Sequence, residues 1–429
     1  DVYKRQLHHL GVQFNVTDDD ELDLRNFGGQ KKKRTAFAQS DTGKQLMTAL
    51  IDAVRREESA GTVERFPHHK FRTLLLSGNI CGGCTVQDTY TGELLRFVCD
   101  AVLIATGGLH GLFGDTTGSL ANTGEVTAEL FRLGVPMANL EMIQYHPTTV
   151  ELGEKRMLLS EAARGEGGRL FALRNRKPWY FMEEKYPELG NLMPRDITAR
   201  EVWTVSRDYE VFLDMTELPK EVMEHKLAGL VDDCQTYLHK DIRKEPIPIL
   251  PGIHYFMGGI QVDERHRTSM RNLYAAGECC AQYHGANRLG GNSLLGAIYG
   301  GQIAAETACR ETVSSPNMPC AEESLLPELS PDAQMQMNRI LLNALGVVRD
   351  AQTLEAGIQE IRKLSGTLPL LGCAMLESAL ARKESRGAHW RADYPQRNDA
   401  VYCKTTVAHW NGQHIAISFE SIPERRHDL

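Results

Sequence analysis

The stretch that most constrains this chain is 284–295, which reads HGANRLGGNSLL. It places a histidine, an arginine and glycines in one loop, and it predicts a helix that begins just after Gly291. Glycine lacks a Cβ, so the backbone at Gly290 and Gly291 can lie close to a flat molecule. The guanidinium of Arg288 matches a carboxylate, and a helix N-terminus favours negative charge. We therefore predict a site for a carboxylate substrate beside a cofactor.

Length and composition exclude several classes of protein. A chain of 429 residues can form two or three domains, and its net charge of −8 gives no support for nucleic-acid binding. No apolar run approaches a membrane span, so we expect any membrane contact to come through a partner. The ten cysteines are scattered, with one Cys81-x-x-Cys84 pair, a pattern typical of reduced thiols inside a cell. Neither an iron–sulfur cluster nor another metal site is predicted in this chain.

The first part of the chain reads as strands with one helix. Asp41 is a plausible N-cap, and Leu46, Leu50, Ala53 and Val54 follow at helical spacing. We predict strands at 71–76, 85–88 and 94–99, with Gly82-Gly83 as a turn that contains the cysteine pair. Residues 100–108 (DAVLIATGG) form an apolar strand that ends in a glycine turn, and such strand ends point at the cofactor in dinucleotide-binding folds.

A different domain is predicted between 143 and 252, where the strand–glycine rhythm stops. It carries His146, Ser160-Glu161, Arg164 and Arg195 in separate loops, which is typical of a lid that completes a site on closing. A linker is predicted at 314–319, followed by helices from 331 to about 387. Taken alone, the residue spacing favours a structural ion pair for Glu161 and Arg164, and a lone His146 or His254 is more often a core histidine.

The chain resembles the flavoprotein subunit of the succinate dehydrogenase/fumarate reductase family. The resemblance rests on 284–295, on LYAAGE at 273–278 and on ESRGAHWR at 384–391. It implies an α/β fold: an FAD-binding dinucleotide-type domain, incomplete at its N-terminus, with an inserted α+β capping domain and a C-terminal helical domain. The expected segments are 1–142 and 253–313 for the FAD-binding domain, 143–252 for the capping domain, and 320–429 for the helical domain and tail.

The resemblance also implies residue roles. Arg195 is expected to exchange the proton, with Glu161 and Arg164 as its relay, although arginine is ordinarily a poor acid with a pKa above about 12. The expected substrate-binding residues are His146, Ser160, His254 and Arg288. The expected FAD contacts are Ala105, Thr106, Gly107, Gly108, Glu125, Glu278, Asn292, Ser293 and Leu294. Glu125 stands where the family usually has aspartate.

The implied function is the interconversion of succinate and fumarate by hydride transfer with FAD. The implied partners are a dicarboxylate substrate, an iron–sulfur subunit and a membrane anchor subunit, at the inner face of the cell membrane on the cytoplasmic side. The alternatives are L-aspartate oxidase, which shares the fold, and a non-catalytic fragment without flavin. The second alternative arises because no Gly-x-Gly-x-x-Gly follows a strand in this sequence, which predicts N-terminal truncation.

Overall fold

The structure is a computed structural model that describes residues 2–28, 32–39, 41–281, 283–311 and 328–422. The linker predicted at 314–319 lies outside these residues. The helices are α1 (Val2–His9), α2 (Thr42–Ser59), α3 (Glu125–Arg132), α4 (Ala162–Gly165), α5 (Phe181–Lys185), α6 (Arg195–Ser206), α7 (Ala228–Asp233), α8 (Asn292–Glu311), α9 (Pro331–Ala344), α10 (Ala351–Ile361), α11 (Thr367–Ala381) and α12 (Asp399–Tyr402). The strands are β1 (Leu24–Arg25), β2 (Thr35–Ala36), β3 (His69–Ser77), β4 (Ile80–Asp88), β5 (Leu94–Val98), β6 (Val102–Ile104), β7 (Met137–Ala138), β8 (Ile143–Leu152), β9 (Lys155–Leu158), β10 (Arg169–Arg174), β11 (Lys177–Trp179), β12 (Val211–Asp214), β13 (Ile247–Pro248), β14 (Leu250–Phe256), β15 (Gly259–Gln261), β16 (Leu273–Ala275), β17 (Cys280–Ala281), β18 (Lys404–Trp410) and β19 (Ile415–Ser421).

The chain divides into two compact units, each made of separate segments. Unit 1 contains Asp1–Pro67, His146–Gly252 and Leu289–Leu294, and unit 2 contains His68–Tyr145, Ile253–Arg288 and Leu295–Leu429. The four segment boundaries expected from the sequence stay a prediction.

Unit 1 is built around an antiparallel sheet in the order β11-β10-β12-β13. Leu170 on β10 and Leu213 on β12 are fully buried, and Met182 of α5 and Val202 of α6 belong to the same apolar core. Burial of such side chains stabilises the fold by about 1.5–3 kcal/mol each. This core fixes α4 and α6, the two helices that carry the charged site residues of the unit.

Unit 2 contains a parallel pair of short strands, β6 and β16, whose register joins Val102 to Leu273 and Ile104 to Ala275. A larger sheet runs β17-β15-β7-β18-β19, and β3-β4-β5 form a third. Helices α3, α9 and α10 pack against α11, whose Leu371 is fully buried. The carboxyl ends of β6 and β16 lie side by side, which is where α/β folds bind nucleotides.

The predicted turn at Gly82-Gly83 is wrong, because β4 runs through it from Ile80 to Asp88. The register between β3 and β4 shifts here, so that Gly83 pairs with Leu75 and Cys81 with Leu76. A Cβ on Gly83 would lie 1.9 Å from the carbonyl oxygen of Phe97 on β5. These glycines therefore serve an irregular strand at a close backbone approach.

The predicted helix after Asp41 is confirmed as α2, although its predicted apolar face is only partly buried. Leu46 is 4% exposed, whereas Val54 is 43% exposed. The spacing therefore identified the helix correctly but placed Val54 on the wrong side of it. Across the described ranges, we find no helix with the length and apolarity needed to cross a membrane.

Candidate active site

Three buried charged residues of unit 1 form one chain of hydrogen bonds. Arg195 donates to Oε2 of Glu161 from Nε at 2.9 Å and from Nη2 at 2.5 Å. Arg164 donates from Nη2 to the other oxygen, Oε1, at 3.2 Å. The three side chains are nearly inaccessible to solvent, at 6%, 3% and 2% exposure in the order Arg195, Glu161 and Arg164. The carboxylate of Glu161 thus connects the two guanidinium groups through hydrogen bonds.

Local sequence explains how these side chains are positioned. Glu161 is the residue before α4, so Arg164 follows at i+3 on the same turn. Arg195 is the first residue of α6, directly after Pro194, which cannot donate a backbone hydrogen bond. A cation at a helix N-terminus is disfavoured by the helix dipole, so Arg195 depends on Glu161 for compensation.

Burial and the neighbouring charges oppose each other at Glu161. Burial alone would raise the pKa of the Glu161 carboxyl, but the charges of Arg195 and Arg164 and a backbone N–H from Gly28 together lower it. Burial and the charge of Arg195 lower the pKa of Arg164, with Glu161 acting in the opposite direction. The carboxylate is therefore held ionised between the two guanidinium groups.

The two other predicted site residues of unit 1 are His146 and Ser160. His146 is fully buried on β8, where its Nδ1 lies 3.2–3.3 Å from the backbone and the hydroxyl of Thr148. Ser160 is half-buried, and its Oγ accepts a hydrogen bond from the N–H of Ala162 at 3.2 Å. A hydroxyl that accepts one hydrogen bond can still donate its own hydrogen in another.

In unit 2, Arg288 is held by contacts to its backbone and its side chain. Its carbonyl oxygen accepts a hydrogen bond from Nε2 of Gln144 at 2.7 Å, and that amide also donates to Asn287 Oδ1 at 3.1 Å. The guanidinium carbon lies 4.4 Å from the ring centre of Tyr255, a cation–π contact. Arg288 is 2% exposed, so its donors are fixed in a largely dry environment. Burial and the charge of Arg288 lower the pKa of His284 to about 4.

His254, the second predicted ligand in unit 2, is oriented by a threonine. Its Nδ1 lies 2.8 Å from Oγ1 of Thr117, and the same hydroxyl donates to the carbonyl oxygen of Ile253 at 3.3 Å. The hydrogen bond between the hydroxyl of Thr117 and Nδ1 therefore fixes the orientation of the imidazole ring.

The turn after β6 carries four of the predicted flavin contacts. Ala105 and Thr106 are exposed, although Ile104 before them and Gly108 after them are buried. A Cβ on Gly107 would lie 2.6 Å from the side-chain amide of Asn122, and Gly107 has a positive φ of 72°. The exposed, glycine-rich backbone at the end of a parallel strand fits the phosphate portion of a dinucleotide.

The next predicted contact, Glu278, follows β16 on the adjacent strand. Its Oε1 accepts a hydrogen bond from the N–H of Phe256 at 3.0 Å and lies 3.4 Å from Nε2 of His110. The carboxylate of Glu125 lies at the start of α3 and forms an ion pair with Lys70 at 2.9 Å. Glu278 therefore lies at the strand end that fits a nucleotide, whereas Glu125 is already engaged by Lys70.

The remaining predicted contacts lie at the start of α8. Asn292, Ser293 and Leu294 are the first residues of α8, as predicted, and all three are half-buried. Gly291 precedes them with a positive φ of 81°, the left-handed conformation that glycine adopts without strain. The helix start thus presents backbone N–H groups suited to an electron-rich ligand.

Sequence reasoning missed the side chains and the backbone that hold these residues. Gly28 donates its N–H to Oε1 of Glu161 at 2.9 Å across 133 positions of sequence, and Gln144 reaches Arg288 across 144. Thr117 and His254 are 137 residues apart. No local periodicity marks such pairs, so only the folded structure identifies them.

Comparison with known proteins identifies the family. Residues 4–294 match the family model described as FAD binding domain, and residues 365–426 match the model described as fumarate reductase flavoprotein C-term. The chain is 37% identical to the succinate dehydrogenase flavoprotein subunit of Bacillus subtilis (strain 168), over 96% of this chain and 80% of that protein. It is 29% identical to the L-aspartate oxidase of Streptomyces coelicolor, a distant relative, over 98% of this chain and 79% of that protein.

A solved structure agrees with the fold. A variant of the FrdA chain of E. coli quinol fumarate reductase superposes with a TM-score of 0.88 at 26% identity, over 99% of this chain and 82% of that chain. The predicted α/β class, with an FAD-binding domain and a C-terminal domain, is therefore confirmed. This chain belongs to the succinate dehydrogenase/fumarate reductase flavoprotein family, and it is an FAD-dependent oxidoreductase.

Proposed function

We propose that this chain interconverts succinate and fumarate as the flavoprotein subunit of a larger enzyme. The observation that carries the proposal is the buried sequence of hydrogen bonds from Arg195 through Glu161 to Arg164. Reduction of a carbon–carbon double bond needs one proton on the carbon next to the one that receives hydride. A relay that ends in a dry guanidinium can supply that proton where water cannot reach.

Within the relay, Arg195 is the residue that donates or accepts the proton at the substrate carbon. When Arg195 gives a proton to the substrate carbon, the carboxylate of Glu161, which hydrogen-bonds two nitrogens of Arg195, is placed to pass a proton back to it. Glu161 in turn shares its other oxygen with Arg164, whose Nη1 donates to the carbonyl oxygen of Asn191 at 2.6 Å. A proton that leaves Arg195 therefore has a continuous hydrogen-bonded route.

Arg288 and His254 are assigned to a substrate carboxylate. Arg288 presents a buried guanidinium fixed by Tyr255 and Gln144, and a fixed fork of donors suits a carboxylate better than a mobile one. His254 has its ring oriented by Thr117. His146 and the hydroxyl of Ser160 are assigned to the second carboxylate, by resemblance to the family.

FAD, when bound, supplies the hydride transfer. The residues assigned to hold it lie at the two strand ends of unit 2, at the start of α3 and at the start of α8. They are Ala105, Thr106, Gly107, Gly108, Glu125, Glu278, Asn292, Ser293 and Leu294. The backbone N–H groups of the glycine turn and of the start of α8 would bind the anionic parts of the cofactor, because a helix N-terminus favours an anionic ring edge.

We also propose that the chain works with an iron–sulfur subunit and a membrane anchor subunit. The proposal is supported by its relatives, one of which is named a succinate dehydrogenase flavoprotein subunit and another a quinol fumarate reductase. The expected location is the cytoplasmic side of the cell membrane, at its inner face, through those partners.

The test is an activity comparison on the purified chain. Flavin absorbance is measured first, because a flavin-less product would be the non-catalytic alternative. Turnover of succinate with an artificial electron acceptor is then compared with turnover of L-aspartate with oxygen. We expect activity with succinate and none with L-aspartate above the level of the Arg195→Gln variant. Activity with L-aspartate alone would overturn the proposal.

A further inference from the structure

The carboxylate of Glu161 is enclosed by two glycines that are far apart in the sequence. Gly28 lies on one side and Gly290, in the loop after Arg288, lies on the other, and all of Glu161, Gly28 and Gly290 belong to unit 1. A Cβ built on Gly28 would lie 2.4 Å from Oε1 of Glu161, and one built on Gly290 would lie 2.6 Å from Oε2. Each oxygen of the carboxylate is therefore bounded by a different glycine.

Glycine is required at these positions because a side chain would not fit there. The backbone conformation is not the reason, since neither residue has a left-handed φ. The positive-φ glycines include the neighbouring Gly291 at 81° but neither Gly28 nor Gly290. Alanine could therefore adopt the backbone conformation at both positions. Its methyl group, however, would clash with the carboxylate at both positions, and at position 290 it would also lie 2.7 Å from Cβ of Phe27.

Gly28 contributes a hydrogen bond as well as space. Its N–H donates to Oε1 of Glu161 at 2.9 Å in a buried environment, and the same oxygen accepts from Arg164 at 3.2 Å. Oε2 is left to Arg195. The backbone of Gly28 thus fixes which oxygen faces which arginine.

We propose that Gly28 and Gly290 are positioning residues that hold the Glu161 carboxylate in place between Arg164 and Arg195. The inference rests on the proposed function, in which Glu161 is the middle member of the proton relay. Proton transfer needs short, aligned hydrogen bonds, and a displacement of about 1 Å can lower a rate by about 100-fold. Glycine at both positions is therefore needed for efficient proton transfer through Glu161.

The first experiment compares Gly28→Ala and Gly290→Ala with Gly301→Ala, in the flavin-loaded protein. A Cβ on Gly301 would meet nothing within 4 Å, so this variant controls for the substitution itself. We expect the first two to lower kcat by about 10- to 100-fold. We expect KM for succinate to change less than threefold and the solvent deuterium isotope effect on kcat to rise. Loss of folding alone would not raise the isotope effect.

The second experiment is a double-mutant cycle with Glu161→Asp, which shortens the side chain by one methylene and makes room for a methyl group at position 28. The thermal midpoint and kcat are measured for each single variant and for the double variant. Gly28→Ala should lower both quantities in the wild-type background and neither in the Glu161→Asp background. Equal losses in the two backgrounds would overturn the proposal.

The two proposals fail in different ways. If Glu161→Gln turned over succinate at the wild-type rate, the relay itself would be wrong. If Glu161→Gln were inactive while Gly28→Ala and Gly290→Ala had wild-type kcat and full flavin content, only the positioning role would be wrong.

Discussion

Thr117 orients His254 through a single hydrogen bond, with Oγ1 2.8 Å from Nδ1. The same hydroxyl lies 3.3 Å from the carbonyl oxygen of Ile253, so the threonine is itself held in place. The ring of His254 is thereby fixed in its orientation. The residue that orients the ring lies 137 positions away from it, in the loop that precedes α3.

Replacement of Thr117 by valine should raise KM for succinate. The variant keeps the shape of the side chain and removes one hydrogen bond, which contributes about 1 kcal/mol, or about fivefold in binding. Steady-state kinetics would measure the change, with kcat expected to fall less than KM rises. Thr117→Ser retains the hydroxyl and serves as the matched control. Equal KM values for the valine variant and the wild type would remove Thr117 from the substrate site.

Replacement of Arg195 by glutamine should abolish turnover and leave flavin bound. General acid–base catalysis contributes about 10²- to 10⁴-fold to a rate, so kcat should decrease by a factor in that range. Arg195 donates to Glu161 from two nitrogens. The variant therefore also removes one of the positive charges that stabilise the buried carboxylate. A lower thermal midpoint should therefore accompany the loss of rate.

The matched control for Arg195→Gln is Arg207→Gln, at the exposed position just after the same helix. Flavin absorbance would be recorded for both variants, so that loss of cofactor is separated from loss of chemistry. Near-normal rates in the Arg195 variant would show that another group carries the proton.

Replacement of Arg288 by lysine should weaken dicarboxylate binding severely. The planar fork becomes a point charge, and the stacking on Tyr255 at 4.4 Å is lost. Hydrogen bonds to charged groups contribute about 1.5–3 kcal/mol, so KM should rise by about 10- to 100-fold. The exposed Arg265→Lys exchange is the control. An unchanged KM in the Arg288 variant would count against its assignment to a substrate carboxylate.

Motifs that carry their own chemistry could be recognised without a structure. The loop 284–295, together with LYAAGE at 273–278 and ESRGAHWR at 384–391, indicated the family and FAD, and both are confirmed by the family models. The spacing of Glu161 and Arg164 predicted a contact on one helical turn, which the structure shows at 3.2 Å. Such features depend on residues close in sequence, where helix geometry alone fixes the distance.

Other features depended on contacts that local patterns do not encode. The glycines of β4 resemble a turn, but pairing with β3 and β5 keeps them in a strand. Gly28 gave no sign of its bond to Glu161, which lies 133 residues away. The hairpin of β18 and β19 is different, since its Asn411-Gly412 turn between alternating apolar residues is a local signal in the sequence.

A buried histidine in unit 2 makes the stability of the protein depend on pH. His389 is fully buried, and its Nδ1 lies 2.9 Å from Nη1 of Arg349, which can only donate. Its Nε2 lies 3.2 Å from the carbonyl oxygen of Arg382, so the ring is neutral with its hydrogen on Nε2. Burial and the charges of Arg349, Arg382 and Arg391 lower the pKa of His389 well below its usual value.

Stability should therefore fall as the pH drops below about 6.5, the pKa of histidine in an unfolded chain. Between that pH and the lower folded pKa, the unfolded state binds one more proton than the folded state. The free energy of unfolding then falls by up to about 1.4 kcal/mol per pH unit from this residue. Above pH 6.5 the contribution is complete and no longer changes.

The variant His389→Asn isolates this contribution, because the amide oxygen can accept from Arg349 and has no proton to gain. Thermal midpoints of the wild type and the variant would be recorded from pH 5 to pH 8. We expect the variant to be less stable at pH 8, where it lacks the bond to the carbonyl oxygen of Arg382. The difference in thermal midpoint between the wild type and the variant should decrease steadily below pH 6.5. In that range only the wild type has a histidine that the unfolded chain protonates and the folded protein, with three arginines around the ring, does not. A difference that stays constant over the whole range would mean that His389 does not control the acid sensitivity of the fold.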